Sequence, residues 1–134
     1  AENERTVIIN KIEGKKDKAY KSMLEARQAI FDIMRPGVTF ESLYLAAADA
    51  FIKDGFGDIL PGRVGHGVGN SAHEFPSLAK ENLILLEAGM VITVEPGLME
   101  KTWGGARHSD TVLITDNGYE CLTKLNNGSI TINK

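Results

Sequence analysis

Cysteine is almost missing from this chain. Cys121 stands alone among 134 residues, so no internal disulfide can form, and its place in an alternating stretch reads as a buried structural thiol. No apolar run approaches the roughly 20 residues that a bilayer-crossing helix needs, so no membrane partner is expected. The opening Ala1-Glu2-Asn3-Glu4-Arg5 has neither an initiator methionine nor the basic-then-apolar pattern of a signal peptide. The chain is therefore expected to be soluble, cytoplasmic and cut or processed at its start. Neither sign of charge dominates: 15 basic against 18 acidic residues give a net charge of −3. The only basic cluster, Lys15-Lys16-Asp17-Lys18, has the composition of a solvated helix start, so nucleic acid is not an expected partner. Histidine is scarce as well, at three residues, and two of them share one short stretch.

What is present supports one core. With 43% hydrophobic residues the chain can bury a single sizeable core and has no room for two ordinary domains. Arg5–Asn10 is β-branched and reads as a strand whose partner comes from elsewhere. After Gly14, Ala19, Met23, Ala26, Ile30 and Ile33 recur in steps of four and three, the spacing of one helix face, and Arg35-Pro36-Gly37 stops that helix. Thr39 is a good N-cap for a second helix, with Val38 and Leu43 placed as a hydrophobic staple. Leu43, Ala46, Ala47, Ala50 and Phe51 supply its buried face, and Gly55 is the expected C-cap. Leu83–Leu86 and Met90–Val94 are apolar runs separated by a turn at Glu87-Ala88-Gly89, the second of them strand-like. Arg107–Thr115 reads as a strand turning at Asp116-Asn117-Gly118 into Tyr119–Thr123, and a polar tail follows from Asn126. The order predicts an α+β fold, two helices on a largely antiparallel sheet.

Chemistry concentrates in Gly65-His66-Gly67-Val68-Gly69-Asn70-Ser71-Ala72-His73-Glu74-Phe75-Pro76. Glycine weakens an element interior by roughly 0.5–1 kcal/mol relative to alanine, so three glycines around a histidine predict backbone that passes close to a substrate or an ion. Histidine exchanges protons near neutral pH and is the commonest metal ligand. Glu95 ends an apolar strand at Glu95-Pro96-Gly97, and a carboxylate so placed needs a partner, because burying an isolated charge is costly. His66, His73 and Glu95 are thus expected to converge on one cavity.

These residues also resemble a known family. Gly65–Gly69 with His73-Glu74, then Gly89–Gly97, then Arg107–Thr111 are three ordered motifs similar to those of the pita-bread hydrolases, which include Xaa-Pro aminopeptidase, prolidase, methionine aminopeptidase and creatinase. The resemblance implies that residues 1–134 are the C-terminal portion of a pita-bread catalytic domain with its N-terminal strands missing. It further implies a hydrolase cleaving a C–N bond of a small molecule or dipeptide, working as a homodimer. In metal-dependent members two aspartates, a histidine and two glutamates hold two metal ions. By motif position His66 and Glu95 are ligands, and His73 contacts substrate. Glu2 falls on the second aspartate, and Ser109, which is neutral, falls on the second glutamate. With two ligands recognised no cofactor is expected, and manganese, cobalt or zinc enters only if residues beyond the chain complete the site.

Creatinase, which works without metal, is the other precedent. Glu4-Arg5-Thr6 matches its Glu-Arg-Thr, which implies that Glu4 and Glu95 hold a cationic substrate, since carboxylates accept planar donors bidentately. The expected roles are then catalysis by His66, His73 and Glu95, substrate contact by Glu4, Glu95, His73 and Trp103, and support from Arg107 and Asp110, a pair that could equally be a simple ion pair on one strand. His108 is expected to point to the opposite face of that strand from Ser109. Two alternatives stand: a standard metal-dependent Xaa-Pro dipeptidase or aminopeptidase completed by the missing segment, and a non-catalytic pita-bread binding module. Ser109 speaks for the module, and the presence of both histidines speaks against it.

Overall fold

A computed structural model describes residues 1–126 and 128–134. Helix α1 spans Gly14–Ile33 and buries Ala19, Met23, Ala26 and Ile30 completely, the face that the spacing predicts. It ends where the Met34 amide turns back to the Phe31 carbonyl, just before Pro36. Helix α2 spans Phe40–Lys53, and the Thr39 hydroxyl accepts from the Ser42 amide at 3.0 Å as an N-cap. Its buried Leu43, Ala47 and Phe51 pack on α1, the small alanines allowing close approach. Gly55, at φ +81°, closes the helix.

The strands are β1 (Val7–Ile9), β2 (His66–Gly67), β3 (Glu74–Ser77), β4 (Val91–Val94), β5 (Gly97–Glu100), β6 (Gly104–Arg107), β7 (Asp110–Thr115), β8 (Gly118–Cys121) and β9 (Ile130–Ile132). Five of them form one antiparallel sheet in the order β3-β2-β4-β7-β8. β5 and β6 form a hairpin that packs on α1. Ile92, Val94, Val112 and Ile114 of the sheet share one apolar core with the helices. The fold is therefore the α+β arrangement that the patterning predicts, two helices over a largely antiparallel sheet.

Two expectations are corrected here. The polar tail contains β9, and it pairs in parallel with β1, Val7 opposite Ile130, so the partner of β1 comes from this chain. A parallel pair between chain ends leaves no turn signal in the sequence. The glycines of the histidine stretch make room for the protein itself: a Cβ on Gly65 would lie 2.2 Å from the Thr93 carbonyl oxygen, so β4 passes directly over it.

Candidate active site

Three features of the fold bring the reactive side chains together. β2 lies beside β4, so the His66 amide donates to Thr93 Oγ1 at 3.0 Å and the Glu95 amide to the Val64 carbonyl at 2.8 Å. β4 lies beside β7, which sets Val94 opposite Asp110. The N-terminal segment then lies along the start of β7: Glu4 and Ser109 exchange backbone hydrogen bonds, and Thr111 Oγ1 accepts from the Glu2 amide at 2.8 Å. That last contact carries the Glu2 carboxylate over His66.

His66 Nε2 is 3.0 Å from Glu95 Oε1 and 3.3 Å from Glu2 Oε1, and His73 Nε2 is 3.7 Å from the same Glu2 oxygen. The two imidazoles lie 4.3 Å apart between ring centroids. His66 and Glu95 are buried, whereas more than half of the His73 side chain is exposed. His66 and Glu95 thus form a floor and His73 a mouth. Glu2, Glu4, Arg63, His73, Glu95 and Arg107 share the lining of a pocket of about 490 Å3.

His66 Nδ1 is 2.9 Å from the Gly67 carbonyl oxygen, which can only accept, so Nδ1 carries the hydrogen and Nε2 of the neutral ring presents a lone pair. Nε2 therefore has no N–H to give the two carboxylate oxygens beside it and is left without a hydrogen-bond partner among the described residues. A buried lone pair facing two carboxylate oxygens is the donor set of a cation. Glu2, His66 and His73 each offer an atom within 4.8 Å of the others, and Glu95 Oε1 joins them at His66. Glu2, which falls on the position that the resemblance gives to an aspartate ligand, thus stands beside His66. The signal available for it was its motif position alone.

Arg107 crosses the rim of the pocket. Its Nε and Nη2 meet both oxygens of Glu4 at 2.5 and 2.7 Å, and Nη1 lies 3.3 Å from Glu95 Oε2. The hydrogen bonds to Glu4, reinforced by the charges of Glu95 and Glu2, raise the guanidinium pKa above its already high value. Gly97 permits the crossing, because a Cβ there would lie 2.9 Å from Arg107 Cβ and Cγ. The expectation that Glu4 is open to a substrate cation is therefore corrected: the protein's own guanidinium already occupies it. Ser109 is fully buried and donates from Oγ to Glu2 Oε2 at 3.2 Å.

Asp110 does not pair with Arg107. Its neighbours are Arg5 at 2.5 Å, Arg27 at 2.6 Å and the Thr123 hydroxyl at 2.8 Å. Burial pushes its carboxyl up, but these donors outweigh burial and hold its pKa below the ordinary carboxylate value. Alternation along the strand turns Asp110 away from Glu95 toward α1. Trp103 is also placed apart: it lines a neighbouring pocket with Tyr20 and Lys16, not the one containing His73 and Glu95. His108 points to the opposite face from Ser109, with Nε2 3.2 Å from Thr6 Oγ1 and its ring edge-on to Tyr20. Cys121 is half-buried, donating to the Thr123 carbonyl at 3.2 Å. Thr93 gave no warning in the sequence, where it is one β-branched residue in a strand. Its hydroxyl receives the His66 amide and reaches Glu95 Oε1 at 3.3 Å, which orients both groups.

The profile of Metallopeptidase family M24 matches residues 1–116. The Xaa-Pro dipeptidase of Pyrococcus furiosus is 38% identical over 120 residues, covering 90% of this chain and 34% of that protein. The crystal structure of X-Pro aminopeptidase from Thermotoga maritima superposes with a TM-score of 0.92 at 29% identity, covering 98% of this chain and 38% of the other. An Xaa-Pro dipeptidase from Bacillus anthracis superposes with a TM-score of 0.92 at 31% identity, covering 97% of this chain and 37% of that one. The chain spans about a third of the length of the relatives it matches.

Proposed function

This chain belongs to metallopeptidase family M24, and from that premise we propose that the protein hydrolyses a C–N bond in a dipeptide or a comparably small substrate, as Xaa-Pro peptidases and creatinase do. The observation that carries the reading is the gathering of Glu2, His66 and His73, whose polar atoms lie within 4.8 Å of one another, with Glu95 Oε1 3.0 Å from His66.

Glu2 and His66, with Glu95 Oε1 3.0 Å from the His66 nitrogen, would hold a divalent cation. Such a cation would supply hydroxide near neutral pH by lowering the pKa of bound water to about 7. The remaining work belongs to side chains of this chain. Glu95, nearly enclosed and hydrogen-bonded by Thr93, keeps one carboxylate oxygen turned to His66. His73 is exposed to the pocket and next to Glu2, so it is placed to donate a proton to the leaving nitrogen or a hydrogen bond to the developing oxyanion. Arg107 holds Glu4 and one side of Glu95 in place, and a substrate must enter beside it.

The test is turnover by the full-length protein over Xaa-Pro dipeptides, creatine and related amidines. His73→Ala should lower kcat by about 10²–10⁴-fold, the range of a positioned proton-transfer group, with the fold unchanged by circular dichroism. Absence of turnover on every substrate would support the second reading, a binding module without catalysis, which Ser109 in a carboxylate position favours.

A further inference from the structure

We propose that Arg63 decides which substrates this pocket accepts: its guanidinium receives a free carboxylate carried one carbon from the leaving nitrogen. The site then takes dipeptides and small amino-acid derivatives, and disfavours amides and longer peptides. The inference rests on the proposed hydrolysis for the place of the scissile bond, and it narrows the substrate class within that reading.

Charge sets Arg63 apart from the rest of the lining. Glu2, Glu4 and Glu95 supply carboxylates, and the Arg107 guanidinium is already engaged with both oxygens of Glu4 and with Glu95 Oε2. Arg63 lines the same pocket, is exposed, and makes no hydrogen bond or ion pair among the described residues. Its backbone is nevertheless well placed. The next residue, Val64, is buried in the core, and its carbonyl accepts the Glu95 amide at 2.8 Å, so the chain that carries Arg63 is tied to the residue facing His66. A guanidinium that lines a pocket with three carboxylates and pairs with none of them suits an anion that the ligand itself brings, because its planar fork matches a carboxylate through two hydrogen bonds.

The rest of the lining fits the body of such a ligand. Ile59, Leu60 and Pro61 are half-buried in it, and Met99 adds an exposed apolar side chain. The Tyr44 hydroxyl donates to the Pro61 carbonyl at 3.1 Å, which fastens this wall to α2. With the scissile bond over His66 and the leaving nitrogen at His73, whatever that nitrogen carries meets the apolar wall and Arg63. In an Xaa-Pro dipeptide this is an apolar ring bearing a carboxylate, and in creatine a methyl group and a carboxymethyl arm. Both put an anion one carbon from the nitrogen. Amidation or a further residue replaces the anion by a neutral amide and forfeits the charge-assisted pair.

The experiment is steady-state kinetics of the full-length protein, of Arg63→Met and of Arg63→Lys on the dipeptide Ala-Pro, its C-terminal amide and the tripeptide Ala-Pro-Ala. The unmodified protein is expected to favour the dipeptide over the other two by about 10- to 100-fold in kcat/KM, the worth of hydrogen bonds to a charged group. In Arg63→Met that ratio is expected to fall close to one through a higher KM for the dipeptide. Arg63→Lys, a point charge without the planar fork, is expected to recover part of it. Equal use of acid and amide by the unmodified protein, or a ratio preserved in Arg63→Met, would overturn the inference and leave hydrolysis standing. The first ratio decides the matter if a variant does not fold. If no substrate turns over, the hydrolase reading fails, and calorimetry with proline against prolinamide reads the same contact. Tighter binding of the acid, lost in Arg63→Met, would uphold the role of Arg63, and equal binding or none would overturn it.

Discussion

His108 shows how one residue can look functional and serve structure. It is fully buried, and burial first, then the nearby charges of Arg5 and Arg27, lowers its pKa. A histidine held neutral in the fold and free to protonate when unfolded gives stability at pH above the ordinary value of about 6.5. As pH falls below that value the unfolded chain takes up a proton that the folded one refuses, so stability is lost until the lower folded pKa is reached. Urea unfolding at pH 7.5 and 5.5 should therefore show a smaller loss on acidification in His108→Gln than in the unmodified protein. An equal loss in both would rule out His108 as a source of the pH dependence. His66 differs in one respect that matters. Its Nε2 faces carboxylates, whereas one nitrogen of His108 faces a threonine hydroxyl and its ring a tyrosine.

Among the elements, the β5–β6 hairpin sets the geometry of the rim. Gly97 and Arg107 are opposed in register, and the space above Gly97 is filled by the stem of Arg107. Gly97→Val would drive a side chain into backbone-near atoms of Arg107, not its flexible end. Destabilisation of about 1–3 kcal/mol in urea unfolding is expected from overpacking. The cap glycines and Thr39 could be read in advance because each answers a requirement of its own helix end. The requirement at Gly97 comes from a residue ten positions away on another strand, so no local pattern announces it.

For the molecule as a whole, Asp110 is the knot. One fully buried carboxylate receives Arg5 from the N-terminal segment, Arg27 from α1 and Thr123 from beyond β8, which ties the segment bearing Glu2 and Glu4 to the rest of the fold. Asp110→Asn would leave two guanidiniums without their shared carboxylate. A loss of about 3–5 kcal/mol is expected by denaturant titration, the usual result of breaking a buried ion pair from one side. A loss below 1 kcal/mol would show that the guanidiniums find other partners and that the knot is not structural.

Helix faces, caps, the β7–β8 turn and the pairing of His66 with Glu95 were legible in residue order. Each rests on periods of two or 3.6 residues, on glycine and proline stops, or on a carboxylate ending an apolar strand. Glu2 over His66, Arg107 on Glu4, Asp110 on two arginines and β1 beside β9 were settled only once the chain had folded. The contacts of Glu2 with Thr111 and of Glu4 with Arg107 join residues 109 and 103 positions apart. Local patterning states which face of an element is apolar, but not which distant charge will be brought against it. Burial of charge then selects among the arrangements, because a buried carboxylate without a counter-charge is too costly to keep.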